Sequence, residues 1–351
     1  MPKPSRPRAR DHGLVCGTLK PGAHNAITDV PGVLVGHRTL LGDGLATGVT
    51  AILPHGGNVF RDKPVAACDV INGFGKTVGL VQLQELGLLE TPILLTNTLS
   101  VHACMEGLVR HAIAANPDIG RTTSTANPVV GECHDGPIND IQALAVTQAH
   151  AIEAIEAASP GPVAEGNVGG GTGMTCFGFK GGIGTASRRF DLAGERHLGV
   201  LVQANFGRAG DLMLPDGRRP KPDDALPAPE RGSIMMVLAT DVPLDQRQLE
   251  RVCRRCGAGL ARLGAFWGHG SGDIAIGFTT ANRIGHDEGA DTVTITRLND
   301  TRIDRLFRAA AEATQEAVLN ALCAAEPMRG RDGRVRPSLH DWLARHGRGD
   351  S

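Results

Sequence analysis

The chain has 351 residues, 41% of them hydrophobic, with 47 glycines and a formal net charge of −1. Its length and apolar content suffice for a sizeable core in one large or two ordinary domains, and a charge this close to zero argues against nucleic acid or an anionic membrane as the main partner. With 9 Phe, 2 Trp and no Tyr, the core must rest on Val, Ile, Leu and Ala, and glycines must let its layers approach closely.

Residues 1–10 carry Lys3, Arg6, Arg8 and Arg10 among three prolines and lack the apolar run of a signal peptide. Residues 1–12 are therefore expected to be a disordered basic tail ahead of a single domain over 13–351. No stretch reaches the roughly 18 to 20 uninterrupted apolar residues of a membrane span. The expected location is the cytoplasm, where eight cysteines fit as reduced, buried small hydrophobes. Apolar runs predict strands over 33–37, 49–53, 93–96, 129–132, 174–179, 197–204, 234–240, 273–279 and 292–297. Most of these runs are continuous, which suggests sheets covered on both faces. Helices are predicted over 76–86, 101–115, 138–158, 244–263 and 304–325. In the last of these, and just before it, Ile303, Leu306, Phe307, Ala310, Ala313, Ala317, Val318 and Leu322 recur mostly at steps of three and four, the period of a helix face laid on a sheet. Residues 215–229 read as a polar, proline-rich surface loop. Cys253 and Cys256 form a C-x-x-C inside a helical stretch with no second pair nearby, so helix packing explains them better than metal or redox chemistry. Two packed sheets with helices outside would satisfy the whole pattern.

Chemistry concentrates in Phe266-Trp267-Gly268-His269-Gly270-Ser271-Gly272-Asp273-Ile274, where a small nucleophile stands between two glycines at the mouth of an apolar strand. Flanking glycines allow strained backbone and close approach to the Gly270 carbonyl. Attack there by the Ser271 hydroxyl, followed by an N→O acyl shift and hydrolysis, would leave Ser271 as a new N-terminus. Its free α-amine, titrating near ~8, could then serve as its own base. The alternative is a plain glycine-bounded strand start. Asn205, a carboxamide ending an apolar strand, could donate to an oxyanion or simply turn the chain at Phe206-Gly207. Lys180 follows an apolar strand and opens the Gly181-Gly182 turn, where a surface lysine is the plain reading. Glu132, also ending a strand, could hold a substrate ammonium or merely lie at the surface. The run Gly166 to Gly173 lacks both the P-loop lysine and a strand-to-helix setting, so a tight turn, or a loop lining the site, is expected rather than a nucleotide site. No histidine has metal-ligand spacing, and neither a metal nor another cofactor is expected.

Eight segments in consistent order resemble the DmpA-type aminopeptidase family, the self-processing L-aminopeptidase/D-esterases and β-peptidyl aminopeptidases. They are Asn25 to Val33, Leu95 to Val101, Glu132 to Asp140, Gly166 to Met174, Phe179 to Arg188, Val200 to Gly207, His269 to Asp273, and Glu316 to Leu322. The resemblance implies an α/β fold, a four-layer α-β-β-α sandwich of the DmpA/ornithine acetyltransferase type. It implies a catalytic domain that cuts itself between Gly270 and Ser271 into associated fragments 1–270 and 271–351, assembled as a tetramer-like homo-oligomer. It implies Ser271 as nucleophile, Asn205 in the oxyanion hole, Lys180 beside it, and Glu132 holding the amine of a short peptide, amino-acid amide or ester. Relatives use a tyrosine near Glu132, and this chain has none; His134 takes that place, or Pro137 on a looser alignment. For the carboxylate that relatives place after the nucleophile strand to support it, Asp300 in Leu298-Asn299-Asp300 is the candidate, with a helix-capping or turn role as the alternative. An ornithine acetyltransferase-like acyltransferase, a non-catalytic member of the fold and a nucleotide-binding module are the competing readings.

Overall fold

The computed structural model describes residues 6–223, 225 and 231–347. Strands β1 (Leu34–Gly42), β2 (Leu45–Leu53), β4 (Ile93–Asn97) and β5 (Val129–Cys133) pair in the order β1-β2-β4-β5, with β4 and β5 parallel. The second sheet has the order β3-β11-β10-β9-β8, built from β3 (Asp62–Gly73), β8 (Gly182–Asp191), β9 (Glu195–Asn205), β10 (Arg231–Thr240) and β11 (Gly270–Gly285). There β10 and β11 are parallel and the other neighbours antiparallel.

Side chains of a strand alternate between faces, and here both faces are covered. In β10, Met235, Val237 and Ala239 join the cluster between the sheets, while Ile234, Met236 and Leu238 join the one under the helices. In β4, Ile93 and Leu95 point between the sheets and Leu94 points outward. Helices α2 (Val101–Ala115) and α3 (Gln148–Glu156) cover the first sheet through Leu108, Ala151 and Ile155. Helices α4 (Gln246–Cys253), α5 (Cys256–Ala261) and α6 (Asp304–Ala324) cover the second. The four-layer α-β-β-α sandwich is therefore present, each buried Leu, Ile or Val contributing on the order of 1.5–3 kcal/mol. Among the described residues no helix is long and apolar enough to cross a membrane.

The structure departs from the expected elements at identifiable points. Residues 292–297 form no strand; Val293 and Ile295 are exposed with no apolar face to cover. Residues 174–179 contribute only to a short hairpin, β6 (Thr175–Cys176) and β7 (Phe179–Lys180), because Phe177 and Gly178 both take positive φ and turn the chain back. Gly79, at φ +88°, delays the first helix α1 to Leu80–Leu86. The stretch 138–158 is helical from Gln148, after a single turn at Ile141–Ala143 ended by Leu144 at positive φ. The stretch 244–263 divides at Arg254–Arg255 into α4 and α5. In the second sheet, β3 and β8 had no predicted counterpart.

Residues 6–12, expected in a disordered tail, are folded onto the body. Arg8 pairs with Glu165 at 2.7 Å, Arg10 with Glu316 at 2.6 Å, and Ala9–His12 form a short 3-10 helix. Residues 1–5 lie outside the described residues, as do 224 and 226–230 of the proline-rich loop.

Candidate active site

The ends of β9, β10, β11 and β5 place the candidate residues. Gly232 is opposite Ser271 and Ser233 opposite Gly272 in the parallel β10–β11 pair, while Ser233 is opposite Asn205 across β9–β10. Ser271 and Asn205 therefore sit at the same end of the sheet, two strands or ~10 Å apart. Gly232 between them has no room for a side chain, since a Cβ there would fall 2.0 Å from the Asn205 carbonyl oxygen.

Ser271 is fully buried, and its hydroxyl donates to Asp273 Oδ1 at 2.8 Å. Positions i and i+2 of a strand share a face, so this contact follows from β11 being extended through both residues. The Ser271 N–H donates to the Gly268 carbonyl at 2.9 Å, closing a tight turn over the Gly270–Ser271 bond. Trp267, just before that turn, takes φ +54°, costly for a bulky side chain. Asn72 on β3 clamps the turn, its amide donating to the Gly268 carbonyl at 3.1 Å and to the Ser271 carbonyl.

Glu132 is buried rather than superficial. Its carboxylate accepts from the Lys76 N–H at 2.8 Å and from the Thr98 hydroxyl. Gly75 separates it from the nucleophile strand: a Cβ on Gly75 would lie 3.4 Å from Glu132 Oε1 and 3.9 Å from Gly272 Cα. Asn205 ties the two sheets together, accepting from the Thr175 N–H at 2.9 Å and donating to the His134 carbonyl at 3.0 Å. His134 itself is exposed at the rim beyond β5, and Pro137 is half-buried.

Lys180 is not a surface lysine. It is completely buried and donates to the Gly171 and Gly181 carbonyls at 3.1 and 2.9 Å. Burial pulls its pKa down to about 7, against the opposing charge of Asp135 and the Cys176 thiol. Burial likewise pushes Asp135 up to about 6, opposed by hydrogen bonds from Thr47 and Asn139. The glycine run is a buried turn: at Gly170 a Cβ would fall 2.2 Å from Gln203 Oε1 and 2.6 Å from the Leu95 carbonyl oxygen, and the carbonyl of Gly171 is one of the two that receive Lys180.

Asp300 is not the support of the nucleophile. It is bound by Arg247 at 2.7 Å and Gln248 at 2.6 Å, beyond the far end of β10, some ~25 Å of strand from Ser271. Asp273 holds the contact that Asp300 was expected to make. Its signal was present in the sequence as the spacing Ser-x-Asp entering an apolar strand. Asn72, Thr98 and Asp135 had no such signal, because only pairing across strands and sheets brings them in. At the mouth, exposed Phe74 stacks under Lys76, with Nζ 4.4 Å from the ring centroid, and its ring lies 6.0 Å from that of His269. A depression of about 670 Å³ between Arg8, Glu165, Asn167 and Met328 contains none of the candidate residues; the chemistry is grouped at the strand ends instead.

Residues 25–336 match the model of peptidase family S58. The chain is 41% identical to the β-peptidyl aminopeptidase BapA of Sphingosinicella microcystinivorans, over 93% of this chain and 88% of that protein. It superposes on the PH0078 protein of Pyrococcus horikoshii OT3 with a TM-score of 0.89 and 46% identity, covering 97% of this chain and 100% of that one. A second solved structure, the L-aminopeptidase D-Ala-esterase/amidase of Ochrobactrum anthropi, gives 0.88 and 37% identity over 98% and 99%; it is described as a prototype for the serine aminopeptidases and a variant of the Ntn hydrolase fold.

Proposed function

The chain belongs to peptidase family S58 and is a serine-type aminopeptidase acting on peptides or amides; from that premise we propose that it matures by cutting itself between Gly270 and Ser271 and then uses Ser271 as an N-terminal nucleophile. The observation that carries this reading is the Ser271 hydroxyl, buried and bonded to a carboxylate at the end of a tight turn, with Asn205 and Glu132 held at the same end of the sandwich. A buried nucleophile cannot meet a peptide while residue 270 is still attached. Release of the Gly270 carboxyl terminus exposes the hydroxyl and creates the α-amine that accepts its proton.

In the mature enzyme Ser271 attacks the carbonyl of a substrate's first residue, the α-amine takes the hydroxyl proton, and the Asn205 amide, one N–H of which is held by the His134 carbonyl, gives its other N–H to the developing oxyanion. Glu132 pairs with the substrate ammonium and so sets the distance from the amine to the scissile bond. Lys180, poised between charged and neutral near pH 7, biases the site toward negative charge on the intermediate, and His134 supplies a rim donor where relatives carry tyrosine. Water then releases the acyl group. BapA acts, by its name, on β-peptides, which supports N-terminal β-residues among the substrates, along with short α-peptides, amides and esters. The processed pair works in the cytoplasm as a tetramer-like homo-oligomer.

The test is the denatured intact mass of the wild-type chain beside Ser271→Ala after incubation at neutral pH, followed by assay on β-alanyl and L-alanyl p-nitroanilides. Fragments 1–270 and 271–351 in the wild type only, with hydrolysis by the cut form only, are expected. A folded wild-type chain that stays whole for days refutes self-processing.

A further inference from the structure

An N-terminal serine has its own base only after it exists. Before cleavage the nitrogen of Ser271 is an amide, without a basic lone pair, and its N–H is committed to the Gly268 carbonyl. The first cut therefore needs a different proton acceptor from every later turnover. We propose that Asp273 is that acceptor, a catalytic residue of maturation with no obligatory proton-transfer role in peptide hydrolysis; this rests on the self-processing reading above.

The geometry is direct. Asp273 Oδ1 receives the Ser271 hydroxyl at 2.8 Å with both residues buried, so the acceptor is within proton-transfer distance and screened from competing water. The strand frames the pair: Gly272 lies against the Phe74 carbonyl, and Asn72, opposite Asp273 in β3, holds the Gly268 and Ser271 carbonyls at the two ends of the turn that carries the scissile bond. Asp273 is held in the β3–β11 ladder and Ser271 in the β10–β11 ladder, opposite Gly232. Asp300, the other carboxylate considered for this role, is engaged at the opposite end of the sheet.

The step balances with groups in place. The Ser271 Oγ–H proton passes to the Asp273 carboxylate as Oγ bonds to the Gly270 carbonyl carbon. The tetrahedral oxyanion collapses, the C–N bond to Ser271 breaks, and the departing nitrogen takes the proton back from Asp273 as a free amine. The product is an ester between Gly270 and the Ser271 oxygen. Asp273 is a carboxylate again at this point; water then hydrolyses the ester to the Gly270 carboxylate, a released proton and the free Ser271 hydroxyl. Thereafter the α-amine carries the proton traffic.

The experiment follows newly made chain by pulse-labelled cell-free translation, shifted to pH values from 5 to 9, for wild type, Asp273→Asn and Ser271→Ala. Asp273→Asn keeps shape and removes basicity. It is expected to melt with Ser271→Ala and to cut roughly 10²-fold or more slowly than wild type, with a rate rising tenfold per pH unit as hydroxide replaces the lost base. The wild-type rate is expected to fall at the acid end and to level off above it. Wild type that cuts while a folded Asp273→Asn cuts within a few-fold of it overturns this assignment and leaves self-processing standing. Should Asp273→Asn not fold, the wild-type profile decides: a plateau supports a carboxylate base, and a rate still proportional to hydroxide from pH 5 to 9 overturns it. A folded wild-type chain that never cuts refutes the self-processing reading itself, and this assignment with it.

Discussion

Lys180→Met removes a buried charge whose energetic signature can be computed in advance. The Lys180 pKa is 10.5 in an ordinary setting and about 7 in the fold, chiefly because burial penalises the ammonium. Between those values the unfolded chain binds the proton that the folded chain has shed, so stability rises with pH across that window; below pH 7 both states hold the proton and the contribution is level. At 1.36 kcal/mol per pKa unit, the lysine costs the fold on the order of 4 kcal/mol at pH 7 and about 1.5 kcal/mol less at pH 8.5. Asp135 has the opposite sign, since its folded pKa of about 6 lies above the usual 3.8; its effect is to lower stability from pH 4 to 6 and is spent before the Lys180 window opens. The measurement is urea unfolding at pH 7.0, 7.5, 8.0 and 8.5, made in the Ser271→Ala background so that one uncut chain unfolds. The difference in stability between the chain that keeps Lys180 and the Lys180→Met chain should change by about 1.5 kcal/mol over that range, in favour of the lysine chain at the higher pH. Parallel stability curves would refute the claim that Lys180 sheds its proton near neutrality, and with it the role of a poised cation beside the oxyanion.

Two further outcomes follow from the geometry. Glu132→Gln keeps the acceptor for the Lys76 N–H but removes the charge that meets a substrate amine, so kcat/KM for free-amine substrates should fall roughly 10²-fold or more, the 2–5 kcal/mol typical of a truncated buried ion pair, while self-cleavage seen by intact mass is unchanged. Gly170→Ala places a methyl 2.2 Å from Gln203 Oε1 and 2.6 Å from the Leu95 carbonyl oxygen, where the flexible amide can yield and the backbone cannot; a loss of about 1–3 kcal/mol, read as a lower midpoint in urea, is expected.

What was legible in the sequence divides by the range of the interaction. Two packed sheets with helices outside could be read because β4 and β10 announce two-sided burial by continuous apolar runs and α6 announces its seat by its period, whereas the four-layer α-β-β-α order came from the family resemblance. Ser271 stood out as a small nucleophile between glycines at the mouth of a strand, but those residues alone fit a plain strand start at least as well, and only the family resemblance singled it out. Strand β8 could not, because its interior is small and charged: Gly184 leaves room for α6 to pass, a Cβ there falling 2.1 Å from the Ala317 carbonyl oxygen, and Arg188 is buried whole. That arginine looks like a surface residue until Glu312 and Glu316 of α6, at 3.3 and 2.8 Å, are brought against it by tertiary packing. Glu316 illustrates the resulting balance, since burial pushes its pKa up but the hydrogen bond from Arg10 and the charges of Arg188 and Arg10 hold it below the ordinary value. Removing Arg188 would strand those carboxylates in the core.

Asp300 failed for the complementary reason. Its assignment rested on the family's carboxylate after the nucleophile strand, and sixteen-residue β11 carries the chain to the far end of the sheet before Asp300 is reached. The residue that does meet the nucleophile is two positions away, on the same face of the same strand. A carboxylate at that spacing is placed by the extended backbone alone, whatever the rest of the fold does. That independence suits a proton acceptor needed before maturation, when the Ser271 nitrogen is still a peptide amide and the substrate-binding end of the sandwich is still closed by the chain's own residue 270.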